Sequence, residues 1–301
     1  MQNIFIINPT AGKKNISLEL SKKILEIDKN AIIHITSAKL DATKYVENFC
    51  SKNKEEKLRI FACGGDGTLN EVINGALNFE NVAVGCFPSG SGNDFLKIYK
   101  DYDFTNIKNQ INGKEVIIDL ISYNKSYGVN VCNIGFDADV AFNMMKFKKK
   151  PFISGSMAYN AAVLYSLLKK TKHKVKIYID DSEFFDNEML LCAVSNGICY
   201  GGGYYCTPSA KPDDGILDIC LVKKVSRFTL LKLIKKYKLG LHISDPRFKN
   251  MIYYVKARKI KFVCADETSF SVDGEVFQTK ELELCVVPKK IRFILPEENY
   301  A

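Results

Sequence analysis

The sequence predicts an α/β amino-terminal domain built on a parallel sheet, followed by a carboxyl-terminal antiparallel β-sandwich. Three observations predict it. Apolar runs alternate with segments of helical period up to residue 124. Short runs of strand-like alternation dominate between residues 125 and 288. Glycine-rich bends stand where the early apolar runs give way to helices.

In chain order, the early apolar runs are NIFIIN from Asn3, AIIHIT from Ala31, LRIFAC from Leu58 and VAVGCF from Val82. Between and after them, Leu69, Val72, Ile73, Ala76 and Leu77 recur at helical spacing, the pattern of crossover helices on a parallel sheet. A helical segment is expected around residues 153–170. The later strands are KVKIYID, EMLLCAVS, GILDICLV, KIKFVC, FSVDGEVF and ELELCVV, with a helical interlude, SRFTLLKLIKKYKLGL, dividing them. The tail KKIRFILP, Lys289 to Pro296, follows Pro288.

Composition bounds the function. At 301 residues and 47% hydrophobic side chains, the chain can form one large domain or two ordinary ones. Its ten cysteines form no CxxC pair and no His/Cys ligand spacing, and MQNIFIINPT has neither a basic start nor a long apolar stretch. Reduced thiols and a cytoplasmic protein are the expectation. The formal charge of +9 favours an anionic partner, whether nucleotide, nucleic acid or membrane surface. Nucleic acid is disfavoured, since no aromatic-basic module or groove-reading helix is visible. The uncharged stretch Pro151 to Leu168 is broken by Ser154, Ser156, Asn160 and Ser166, which argues against a membrane span. Its basic flanks, Lys146 to Lys150 and Lys169 to Lys174, leave two readings: a core helix with exposed ends, or a helix at a lipid interface.

Three loops carry the chemistry. NPTAGKK runs from Asn8, GGDGT from Gly64 and PSGSGNDF from Pro88, each at the end of a predicted strand. Strand ends that open into helices present free N–H groups, and glycine lets a phosphate approach the main chain. One such loop is weak evidence; three at one edge of a sheet make a nucleotide site. No segment fits GxxxxGK[ST], and GxGxxG fails because Phe95 stands where the third glycine belongs. Asp66 and Asp94 lie within these loops, where a carboxylate repels phosphate unless a divalent metal lies between them or a substrate hydroxyl faces it. His34, His173 and His242 are all outside the loops, so carboxylates rather than histidines are the working groups. Asp273-Gly274 in SVDGEVF, taken alone, reads as a hairpin turn.

NPTAG, GGDGTLNEVING and FPSGSGNDF, in this order, resemble the diacylglycerol kinase catalytic family, particularly its soluble bacterial lipid kinases. NIGFDADV from Asn133, SNGICYGGGYYCTPSAKPDDGILDICLV from Ser195 and SVDGEVF from Ser271 extend the resemblance over nearly the whole chain. Departures are small: Ser91 replaces a common threonine and Leu96 a common alanine.

The resemblance implies an NAD-kinase-like nucleotide-binding domain over residues 1–124, to which the tail from 289 to 301 returns, and a lipid-substrate sandwich over 125–288. It implies that ATP phosphates are held by Asn8, Pro9 and Gly12, by Gly64, Gly65, Gly67 and Thr68, and by Ser89, Gly90, Ser91, Gly92 and Asn93. Asp66 and Asp94 would handle Mg2+ and its waters, and Asn70 and Glu71 would brace the second loop. Asp273 and Glu275 would supply the acid/base pair, Asp273 as base with Asp66 as the alternative. Asp214 and neighbouring carbonyls would hold a structural metal. The implied reaction is transfer of the ATP γ-phosphoryl group to a lipid hydroxyl, diacylglycerol first. The alternatives are another lipid alcohol such as phosphatidylglycerol, or NAD as in NAD kinases. The implied partners are ATP and a membrane lipid, with peripheral attachment at the inner face of the membrane, for which the lysines at 146 and 148–150 are the expected docking site. A homodimer is left open.

Overall fold

The computed structural model describes residues 1–12, 14–148, 161–162, 165–166 and 172–298. Most of the uncharged stretch and much of its basic flanks, Lys149 and Lys150 included, lie outside them. The chain divides into two compact units, Met1–Leu120 with Pro288–Ala301, and Ile121–Val287.

In the first unit, β1 (Gln2–Ile7), β2 (Ile32–Ile35), β3 (Leu58–Gly64) and β4 (Val82–Pro88) are the four early apolar runs. They lie in the order β2-β1-β3-β4, and each neighbouring pair is parallel. Arg292 and Phe293 of the tail add a further parallel partner beside Ala83 and Val84. Helices α1 (Ser17–Ile27), α2 (Asp41–Lys52) and α3 (Asp66–Ala76) follow β1, β2 and β3. Parallel strands need such crossovers, and their burial explains why β1 and β3 read as nearly continuous apolar runs. Phe5 stacks on Phe61 at 4.7 Å within a core that includes Ile7, Leu20, Ile24 and Ile294. A short α4 (Ile107–Ile111) leads into β5 (Lys114–Tyr123), which carries the chain out of this unit.

The second unit is antiparallel throughout its named pairs. After β6 (Ser126–Gly128) come β7 (Val131–Gly135), α5 (Phe136–Lys148), β8 (His173–Ile179), β9 (Ser182–Ser195), β10 (Leu217–Lys223), α6 (Arg227–Lys238), β11 (Ile252–Ala257), β12 (Lys259–Val272) and β13 (Glu275–Leu295). Along one edge the long strands β9 and β12 each pair with β8 over one half and β7 over the other, while their opposite edges take β10 and β13. Alternate residues Cys132 and Ile134, Cys192 and Val194, Ile260 and Phe262 fill one core. The intervening Val131, Leu191 and Ala193 pack with Phe136, Leu230 and Leu233 in a second, helix-covered core. All ten cysteines are free, and nine are buried. Among the described residues no helix is long and apolar enough to cross a membrane.

Candidate functional site

The glycine bend after β3 is shaped by what surrounds it. A Cβ on Gly64 would lie 2.2 Å from the Thr68 hydroxyl oxygen, so only a bare backbone fits beside the first turn of α3. Gly65 is the N-cap and Asp66 the first helical residue, which turns the free amides of α3 toward the strand end.

The other two loops touch this one through the main chain. The Gly64 carbonyl accepts from Ser89 N at 2.9 Å and Gly90 N at 3.1 Å. Cβ atoms on Gly90 and Gly12 would meet Gly65 Cα at 2.4 Å and the Ser89 carbonyl oxygen at 2.3 Å, and Gly12 also holds a φ of +77°. From the first loop, Asn8 Nδ2 donates to Thr68 Oγ1 at 3.1 Å, while Asn8 Oδ1 accepts from Thr10 N at 3.0 Å. Asn8, Pro9, Gly12, Gly65, Asp66, Gly67, Thr68, Glu71, Gly90, Ser91 and Gly92 thus line one cavity of 610 Å³. Gly64 and Ser89 supply the contacts behind it. The sheet edge and helix N-terminus can take a multiply charged anion there.

Two carboxylates converge on Gly92. A Cβ there would lie 3.1 Å from Asp66 Oδ2 and 3.3 Å from Asp94 Oδ2. Asp66 Oδ1 accepts from Phe95 N at 3.2 Å, and Asp94 Oδ1 meets Lys97 Nζ at 2.5 Å. Burial raises the Asp66 carboxyl above its usual range; neighbouring amides oppose this, and the charge of Asp94 adds to it. Asn93, at a φ of +49°, leaves its buried Oδ1 without a hydrogen-bond partner. Two like-charged carboxylates and an orphaned acceptor are a donor set that fits a hydrated divalent cation.

The fourth wall is absent from the sequence reading. Thr36, Ser37, Ala38 and Lys39, after β2, line the same cavity. Glu71 Oε1 accepts from Leu40 N at 3.1 Å, and Leu40 holds a φ of +64°. Glu71 therefore braces this β2–α2 turn. Asn70 is buried within α3, where its side-chain oxygen accepts from Asn74 Nδ2 at 3.1 Å. The available signal was position alone, since a strand end beside β1 must meet the same edge as the glycine loops.

Within the second unit, Asp273 and Gly274 form the two-residue turn between β12 and β13, with φ values of +48° and +87° and Val272 opposite Glu275. The Asp273 carboxylate is saturated from behind. Its Oδ2 accepts from Val129 N at 2.6 Å, and its Oδ1 accepts from Asn130 N at 3.1 Å and Val131 N at 3.0 Å. Three amide donors stabilise the ionised form and fix its orientation. Glu275 is half-buried, and its charge and that of Asp273 add to burial in raising the Tyr123 phenol.

Asp214 stands in an ion-pair cluster. Lys256 Nζ stands 3.0 Å from Asp214 Oδ2 and 3.2 Å from Asp218 Oδ2, and Tyr254 donates to Asp218 Oδ1 at 2.7 Å. The Lys256 ammonium thus bridges the two carboxylates. Among the described residues no group of three or more His, Cys, Asp or Glu gathers as a metal cage. Of the histidines, His34 stacks on Tyr45 and pairs with Asp41 at 3.4 Å, His173 pairs with Asp139 at 2.9 Å, and His242 is buried against the Cys206 carbonyl.

Comparison with known proteins covers both units. Residues 2–123 match the model of the diacylglycerol kinase catalytic domain, and residues 130–295 match that of the YegS C-terminal NAD kinase beta sandwich-like domain. A diacylglycerol kinase of Bacillus subtilis is 27% identical over 305 residues, spanning 98% of this chain and 96% of its own. A solved diacylglycerol kinase structure from Bacillus anthracis aligns with a TM-score of 0.70 at 23% identity, covering 98% of this chain and 96% of that one. An NAD kinase from Archaeoglobus fulgidus, solved with ATP, aligns at 0.53 and 11% identity over 99% of this chain and 94% of that one, a likeness of fold. The two-part NAD-kinase-like fold with a carboxyl-terminal β-sandwich follows from these matches.

Proposed function

Because the chain belongs to the family that joins a diacylglycerol kinase catalytic domain to a YegS-type β-sandwich, we propose that it transfers the γ-phosphoryl group of ATP to a lipid hydroxyl, with diacylglycerol as the first acceptor. The observation that carries this reading is the single cavity lined by three glycine loops, with Asp66 and Asp94 at its edge. In this reading residues 1–124 and the tail form the nucleotide half, and 125–288 form the lipid half.

Phosphoryl transfer asks the protein for positioning and charge stabilisation rather than covalent chemistry. The amides of Gly65 and Gly67 and those from Ser91 to Asn93 orient the phosphates, the Ser89 and Gly90 amides being held by the Gly64 carbonyl, and Asn8 keeps Thr68 in place. Asp66, Asp94 and the Asn93 oxygen are the groups that would hold hydrated magnesium, which when bound supplies charge neutralisation at the phosphates. Glu275 is the proposed base for the acceptor proton. Asp273, with its oxygens already committed to three amides, holds the turn from which Glu275 projects. The reading carries with it a cytoplasmic protein that meets its acceptor at the inner face of the membrane.

The test supplies the purified chain with labelled ATP, magnesium and, in separate reactions, diacylglycerol, phosphatidylglycerol and NAD. Label in phosphatidic acid supports the proposal, and label in phosphatidylglycerol alone keeps the reaction but changes the acceptor. Label in NAD and in neither lipid overturns the lipid reading.

A further inference from the structure

Helix α6 is hydrophobic on two faces, and only one of them is used. Leu230, Leu233 and Tyr237 lie in the buried cluster with Cys220, Val222 and Phe248. On the other face Phe228 is 82% exposed and Leu231 54%, and Leu239, just past the helix end, is 66% exposed. Residues 228, 231, 235 and 239 fall on one line of a helix. The outward stripe therefore reads Phe228, Leu231, Lys235, Leu239, with Lys232 on one side and Arg227 and Lys238 on the other.

The helix is well formed at its start, since Ser226 Oγ accepts from Thr229 N at 3.2 Å, so the exposed phenylalanine belongs to an ordered turn. Scattered apolar side chains need no partner, whereas two on one stripe of a twelve-residue helix with a third at its C-cap do. The charge pattern says which partner. No Asp or Glu occurs from Lys223 through Ile243, while Lys223, Lys224, Arg227, Lys232, Lys235, Lys236 and Lys238 do. Within the fold, Lys224 pairs with Glu188 at 2.6 Å, Lys223 lies over the Tyr253 ring at 4.4 Å, and Lys238 over the Tyr204 ring at 5.6 Å. A second copy docking through the same stripe would set Lys235 and its neighbours against themselves, because a two-fold interface presents the same patch from both sides.

We infer that the outer face of α6 is a docking surface for an anionic lipid bilayer, with Phe228, Leu231 and Leu239 entering the interface and Lys232 and Lys235 meeting lipid phosphates. An apolar stripe rimmed by cations and free of carboxylates is the make-up of a helix that lies in the plane of a membrane surface. The inference rests on the lipid-kinase reading for its purpose, since an acceptor with acyl chains is met in a bilayer, but the surface can be tested without catalysis. It also moves the membrane contact away from the lysines at 146 and 148–150. Of these, Lys146 turns its ammonium over the Phe142 ring at 4.2 Å, and Lys149 and Lys150 lie outside the described residues.

The chain has no tryptophan, so Phe228→Trp gives a single reporter on the stripe. With vesicles of phosphatidylcholine mixed with phosphatidylglycerol, its emission is expected to shift to the blue and to be quenched by brominated acyl chains; neither occurs with phosphatidylcholine alone. Sedimentation of the full chain with the same vesicles is expected to weaken about tenfold or more for Phe228→Ser with Leu231→Ser. Each of Lys232→Gln and Lys235→Gln is expected to weaken it about fivefold at low salt. These side chains are exposed, so circular dichroism and melting temperature should match the parent. Unchanged binding in these variants, or emission from the introduced tryptophan that ignores the vesicles, overturns the docking site. So does a dimer that the Phe228→Ser, Leu231→Ser variant dissolves, with no loss of vesicle binding. Failure of the catalytic reading looks different: vesicle binding through α6 intact, with no label entering any lipid, would remove the kinase proposal and leave the surface standing.

Discussion

Asp66 sits where stability alone would not put a carboxylate. Burial and the charge of Asp94 both raise its pKa, so the folded state holds its proton more tightly than the unfolded chain does. The sign follows: its contribution to stability is greatest at low pH and declines as pH rises from the ordinary carboxylate range through the raised value. Asp66→Asn removes that penalty, and its side-chain oxygen can still accept from Phe95 N. The variant is therefore expected to melt at or above the parent temperature at neutral pH without bound ligands, while phosphoryl transfer falls by about two orders of magnitude or more. Retained turnover, or a clear loss of melting temperature, would remove Asp66 from the proposed centre. The turn at Asp273 permits a second separation. Glu275→Gln is expected to lower kcat by ~10² to 10⁴ with melting temperature unchanged, as for loss of a general base. Asp273→Asn replaces one acceptor oxygen of a three-amide clamp with a donor, so it should lower melting temperature together with activity. Equal stability losses in the two variants would contradict this division of roles.

At the scale of elements, the three loops depend on backbone contacts that a methyl group would break. Gly90→Ala sets a Cβ 2.4 Å from Gly65 Cα, a clash with main chain rather than with a flexible side chain. Overpacking of this kind costs about 1–3 kcal/mol. The expected result is a weaker ATP dependence, seen as a raised KM for ATP, with the second unit unaffected in amide exchange across β10; an unchanged KM would show that the loops do not work as one site. Much of this was legible in the sequence, because strand ends, glycines and helical spacing are local signals. What could not be read there depended on distant backbone. The Thr36–Lys39 wall carries no glycine, and Leu40 adopts a left-handed conformation that its sequence does not advertise. The strand β13 passes unbroken through Pro288, which in isolation argues for a break. Lys289 follows at a φ of +51°, and its N–H donates to buried Asp119 at 2.7 Å, a bend that only the partner residue explains. The ion pair at Asp214 was hidden for a similar reason, since Lys256 arrives from a strand some forty residues later.

Over the whole molecule, two groups shifted by burial pull acid stability in opposite directions. His242 is held down to about 4 by burial, so it is neutral in the fold and must be charged on unfolding at mild acid pH. Its contribution is complete above its ordinary value of 6.5 and is lost as pH falls toward 4. Asp137, beneath the Tyr200 hydroxyl that donates to it, is raised to about 6, first by burial and further by Asp139. Its contribution is complete below the ordinary 3.8 and is lost as pH rises through 6. Each shift corresponds to about 3 kcal/mol, and between pH 4 and 6 the two slopes oppose one another. In the parent chain they largely cancel, leaving the other carboxylates to set the pH profile. Single variants should expose what the pair conceals. Relative to the parent in urea titrations at stepped pH, Asp137→Asn should become steadily more stable as pH rises from 4 to 6. His242→Gln, which keeps a donor for the Cys206 carbonyl, should become steadily less stable over the same range. The double variant should run nearly parallel to the parent, because two opposed slopes have been removed together. Difference profiles that stay flat for both single variants would mean that neither group changes its proton affinity on folding, and that the helix-covered core of the second unit is far better solvated than its packing implies.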